Sequence, residues 1–187
     1  WGPFARIPGT DKITIRAINA FDSNHAVVVG SGRPEGELES FIFRTSNGGK
    51  AWEQTTITPV ATEPTRIWMF DEKEGIVCGK SKPGAGSGVG RTADGGATWS
   101  PVELPDRLQQ QVEDGIMATV GSTIYLSRIG RDPAQQPELT RIYRSDDRGQ
   151  TWRVVDTLPQ AAEITSMAFA TAEQGMMQLL GRSGGGN

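Results

Sequence analysis

Apolar residues in this chain come in short runs closed by polar turns, and no long stretch keeps the three-to-four spacing of an amphipathic helix. Ala26-Val-Val-Val-Gly30 and Ile76-Val-Cys-Gly79 are continuous runs, as expected of strands covered on both faces. Each follows a matching segment and a polar turn: Ile18-Asn-Ala-Phe-Asp22 in the first case, Ile67-Trp-Met-Phe-Asp71 in the second. Ser166-Met-Ala-Phe169 resembles both and leads into Gly175-Met-Met-Gln-Leu-Leu-Gly181. Between them, Ile116-Met-Ala-Thr-Val120 and Thr123-Ile-Tyr-Leu126 are joined by Gly121-Ser122 alone, which predicts a two-residue hairpin. Asp106 to Glu113 has room for at most a short helical turn.

A longer pattern overlies these strands. Thr45-Ser-Asn-Gly-Gly-Lys-Ala-Trp52, Thr92-Ala-Asp-Gly-Gly-Ala-Thr-Trp99 and Ser145-Asp-Asp-Arg-Gly-Gln-Thr-Trp152 share one phrase: hydroxyl, any residue, Asp or Asn, any residue, Gly, two residues, Trp. Copies recur roughly every fifty residues, the period of a repeat architecture. The phrase is turn chemistry. Asn47, Asp94 or Asp147 can accept backbone N–H groups, and Gly49, Gly96 and Gly149 can take positive φ. The Trp then re-enters a strand and buries its ring. After each Trp a short strand closes on Pro59, Pro105 or Pro159. Trp1-Gly-Pro-Phe-Ala-Arg-Ile-Pro8 has the same form, so residues 1–8 are expected to be an outer strand whose turn lies outside the chain. The last repeat offers two strands and no third.

Each repeat therefore reads as inner strand, second strand, variable loop, third strand, turn and outer strand. The variable loops fall at Ser31 to Ser40, Lys80 to Val89 and Gly130 to Leu139. The phrase resembles the Asp-box, or BNR repeat, of sialidase-type propellers. The resemblance implies an all-β propeller of four-stranded antiparallel blades, about four of them present, as one domain over 1–187 or part of a larger ring. Repeats run over about 13–59, 65–105, 115–159 and 163–187, and the boxes are expected to be structural.

Composition narrows the function. A formal net charge of −3, with 19 basic residues scattered along the chain, argues against nucleic acid as partner. No run is long enough for membrane insertion as a helix. One cysteine, Cys78, and one histidine, His25, exclude an intrachain disulfide and any Cys/His metal site. His25 is expected in a solvated turn. Each box carries too few carboxylates for a calcium cage, so neither metal nor cofactor is expected.

The pattern Arg, apolar residues, Phe-Asp, then Arg-Thr-x-Asp-Gly-Gly-x-Thr-Trp is similar to the photosystem II stability/assembly-factor family and its bacterial relatives. Arg16 to Asp22 with Arg44 to Trp52 carries the likeness, and Arg66 to Asp71 with Arg91 to Trp99 repeats it. It implies a non-enzymatic scaffold, exported, that holds another protein or a small acidic ligand. Arg16 and Arg66 on inner strands could clamp carboxylates, and Arg44, Arg91 and Arg144 precede the boxes. Local pairing with turn acids is the competing role for these arginines. Two alternatives stay open: a sialidase-like glycoside hydrolase, for which Arg6-Ile7-Pro8 is the cue, and a carbohydrate-binding propeller using Trp68. The hydrolase would need a Tyr nucleophile, but Tyr125 and Tyr143 lie in strands and neither pairs with a Glu, so no catalytic residue is assigned.

Overall fold

The computed structural model describes residues 6–57, 60–80, 86–105, 109–113, 115–132, 135–158 and 162–180. Every regular element among them is a β-strand, and every pairing is antiparallel. By contact the chain divides into two compact units, Trp1–Val102 and Glu103–Asn187.

The first unit holds two four-stranded sheets. One is ordered β1(Ile13–Ala20), β2(Ala26–Gly32), β3(Glu39–Thr45), β4(Glu53–Thr56); the other is β5(Glu63–Met69), β6(Gly75–Lys80), β7(Val89–Thr92), β8(Ser100–Pro101). Strand order follows sequence order, as in the blades of a propeller. The apolar runs form β2 and β6, the second strand of each blade, and both are buried almost throughout. Val27, Val29 and Ile42 of the first blade pack against Ile67, Met69 and Val77 of the second. On the first blade's opposite face, Val28, Phe41 and Phe43 cluster with Ile7, Ile13 and Trp52. Outer strand β8 is only two residues long, and beyond it Val102 donates its N–H to the Val89 carbonyl at 2.9 Å.

The second unit contains β9(Gln109–Glu113), β10(Met117–Val120), β11(Thr123–Asp132), β12(Gln135–Ser145) and β13(Arg153–Leu158), with a two-stranded sheet of β14(Glu163–Phe169) and β15(Gly175–Leu180). Tyr125 and Ile142 pack against Ile164 and Met167, and the Tyr125 and Phe169 rings stack 3.9 Å apart. Residues 175–180 are exposed throughout, whereas the corresponding β2 and β6 are buried.

Several expectations are corrected. Gln109–Glu113 is a strand on β11, not a helical turn. Strand β11 outruns β10, and Gly115 lets the chain cross it: a Cβ there would lie 1.8 Å from the Ser127 carbonyl oxygen. The loop expected at Gly130 to Leu139 is largely ladder, with Gly130 paired to Leu139 and Arg131 to Glu138. Arg6 to Pro8 is not strand, and 1–5, Pro59, 81–85, Pro159 and 181–187 lie outside the described residues.

Candidate functional site

The three repeated turns close on themselves. Thr45, Thr92 and Ser145 each accept the backbone N–H of the glycine four residues on, at 3.0, 2.9 and 2.8 Å. Asn47, Asp94 and Asp147 accept the N–H of Ala51, Thr98 and Thr151 at 2.9, 2.9 and 2.8 Å. In the second and third copies the other carboxylate oxygen accepts the Thr98 or Thr151 hydroxyl at 2.6 Å. Burial pushes the Asp94 and Asp147 carboxyls up, but these hydrogen bonds outweigh it and hold both below the ordinary value. Trp99 and Trp152 donate to the Gly96 and Gly149 carbonyls at 3.1 and 3.0 Å. The buried Trp52 indole N–H has no acceptor among the described residues.

A further bond ties each turn to its own blade. Gly48, Gly95 and Arg148 donate their N–H to the carbonyls of Asn24, Lys73 and Ser122, which lie in the turns between first and second strands. All three donors are left-handed, at φ 70, 73 and 58.

The arginines before the turns are engaged in ion pairs. Arg44 bonds Glu53 through Nε and Nη2, at 2.8 and 2.5 Å, and Arg91 pairs with Glu74. Arg144 meets Asp146 at 2.6 Å, and its Nη1 donates to the Tyr125 hydroxyl and the Ala172 carbonyl. Hydrogen bonding to Asp146 raises the Arg144 value and lowers that of Asp146.

Arg16, Arg66 and Trp68 lie on the inner strands, but the two arginines are not equivalent. Strands β1 and β5 align through Ala20 opposite Ala26 and Met69 opposite Gly75, which matches Arg66 with Ala17 and Arg16 with Thr65. Arg16 sits at the bulge between Ile15 and Ala17, whereas Arg66 lies just past the matching bulge of β5. Arg66 and Trp68 alternate with buried Ile67 and Met69, so both project from the same exposed face of β5.

The candidate cues for hydrolysis do not converge. The Arg6 side chain is 90% exposed, near Asp11 at 3.6 Å. Tyr143 is buried, and the Tyr125 hydroxyl donates to the Ala172 carbonyl at 2.7 Å.

A cleft of about 310 Å³ opens between the two blades of the first unit, lined by His25, Arg44, Glu53 and Glu72 together with polar groups of the first and second repeated turns. Arg44 Nη1 also reaches the Asp94 carbonyl at 3.4 Å. His25 is not simply solvated. Its ring stacks on Phe21, and Nδ1 lies 2.7 Å from Asp22 Oδ2. Sequence reasoning missed Glu72, whose approach to His25 depends on how consecutive blades pack. It also missed Arg128, which is 1% exposed in β11 beside Gly115 and carries no patterning signal.

No protein family matches the sequence, and no curated protein does. Among solved structures, the Niastella koreensis GH74 enzyme is similar, with a TM-score of 0.53 and 15% identity. The match covers 83% of this chain but only 24% of that one. The likeness is one of fold. Together with the four-stranded antiparallel sheets it makes this an all-β, propeller-type chain.

Proposed function

We propose that the chain is an Asp-box propeller, of the kind seen in photosystem II assembly-factor-like proteins, that works as an exported binding scaffold for a protein with an acidic docking segment. The observation that carries this reading is the Arg66–Trp68 pair. Both side chains are exposed on one face of β5 and held by a strand whose opposite face is buried. Arginine and tryptophan are the residue types that most often dominate protein interfaces, and a rigid strand lowers the ordering cost of using them. The repeated turns support a structural role, since their polar groups are spent on their own backbones.

Peptide display against the purified chain tests this. Acidic sequences should be enriched, and Arg66→Glu and Trp68→Ala should each weaken their binding at least tenfold with little change in melting temperature. Turnover of a glycoside by the chain would overturn the scaffold reading. Carbohydrate binding is the second reading, favoured by the exposed Trp68 ring (40% accessible) and by the fold shared with the Niastella koreensis GH74 enzyme. Saturable quenching of tryptophan fluorescence by an oligosaccharide, lost in Trp68→Ala, would select it.

A further inference from the structure

The chain has one histidine and one cysteine, and Cys78 is buried. Any exposed metal site with an imidazole ligand must therefore use His25. Asp22 and His25 stand on the turn between β1 and β2, and Glu72 stands on the corresponding turn of the next blade, between β5 and β6. One ligand atom from each residue lies within 4.8 Å of the other two. Tetrahedral zinc holds its ligands on the order of 3.3 Å apart, so side-chain rotation alone could close the set.

The imidazole is already oriented. Its ring lies 5.3 Å from that of Phe21, at 13°. Asp22 is fixed in turn, because its Oδ1 accepts the N–H groups of Asn24 and His25 at 2.6 and 2.7 Å. His25 and Glu72 also line the cleft, which gives an ion an approach from solvent. Arg44 on the cleft wall is paired with Glu53, and a further acid on that wall is Asp94. This donor set recurs nowhere else among the described residues: the turn of the second blade has Glu74 in the place of His25, and the third blade has only Gly121-Ser122.

We propose that Asp22, His25 and Glu72 bind one divalent transition-metal ion of the zinc class, which bridges the turns of two neighbouring blades. An imidazole with carboxylates suits zinc, cobalt or nickel better than calcium or magnesium. Three protein ligands leave a coordination position for water or for a carboxylate entering the cleft. The ion takes the place of the Asp22–His25 hydrogen bond, with the imidazole proton carried on Nε2, and binding weakens in acid because the ligands must be deprotonated.

The test uses zinc with the untagged chain, read by calorimetry and by the single imidazole resonance in a histidine-labelled sample. One equivalent should bind, the His25 resonance should move, and the melting temperature should rise. Affinity should decline in acid, as protons compete with the ion for its ligands. His25→Gln should abolish binding, and Glu72→Gln should weaken it at least tenfold while leaving the metal-free melting temperature unchanged. The proposal falls if binding is not saturable or if the His25 resonance stays still. It falls equally if Glu72→Gln retains the original affinity, since the imidazole would then be acting alone.

Discussion

Asn47 and Ala51 look like two independent departures from the repeated turn, but one explains the other. In the second and third copies the outer carboxylate oxygen is matched by a threonine hydroxyl. Ala51 has none, and Asn47 offers its single side-chain oxygen to the backbone. Installing Asn47→Asp with Ala51→Thr should stabilise the chain by more than the two single changes added together, with a coupling of about 0.5–1 kcal/mol in a denaturant-unfolding double-mutant cycle. The pairing was open to view in the sequence, because Asp-with-Thr occurs twice and Asn-with-Ala once. The arginine patch was harder to read. Arg16 stands six residues before Asp22 and Arg66 five before Asp71, and a single residue decides which way a strand side chain points.

Whole strands were legible wherever they carry a continuous apolar run, as β2 and β6 do, since burial on both faces leaves no other reading. Strand β9 was not, because Gln109-Gln-Gln-Val-Glu113 forms a strand only when the edge of β11 is there to receive it. The glycines ending the apolar runs have a cause that only pairing reveals. Gly30 and Gly79 lie opposite the bulges of β1 and β5, where a Cβ would approach the Thr14 and Glu63 carbonyl oxygens to 2.7 and 2.2 Å. The left-handed position of the repeated turn behaves alike in two blades and differently in the third. A Cβ on Gly95 would stand 2.7 Å from the Glu72 carbonyl oxygen, at φ 73. In the third blade a shorter connection carries the acceptor, and Arg148 occupies the position at φ 58. Gly95→Ala should therefore cost about 2 kcal/mol or more, whereas Arg148→Gly should stabilise by up to about 1 kcal/mol, both measured by chemical denaturation.

At the scale of the molecule, the depressed carboxyls set the response to acid. Asp94, Asp146 and Asp147 titrate lower when folded than when unfolded, so their stabilising contribution is complete above the unfolded value of about 4. It is lost as pH falls through the lower folded values. Melting temperature followed from about pH 6 to pH 2 should drop most steeply below pH 4. Asp94→Asn with Asp147→Asn should lie below the parent at neutral pH and converge on it in acid, because the first turn already functions with Asn47. The sequence disclosed the blade plan through its period, since each blade is built from local hairpins. It did not disclose the Asp22–His25–Glu72 grouping, which arises where two blades meet. The backbone bonds from Gly48, Gly95 and Arg148 add a mechanical consequence. Each fastens the connection after the third strand to the connection after the first, at one end of the same blade. Under tension a blade should therefore yield as a unit, rather than unzip one hairpin and then the other.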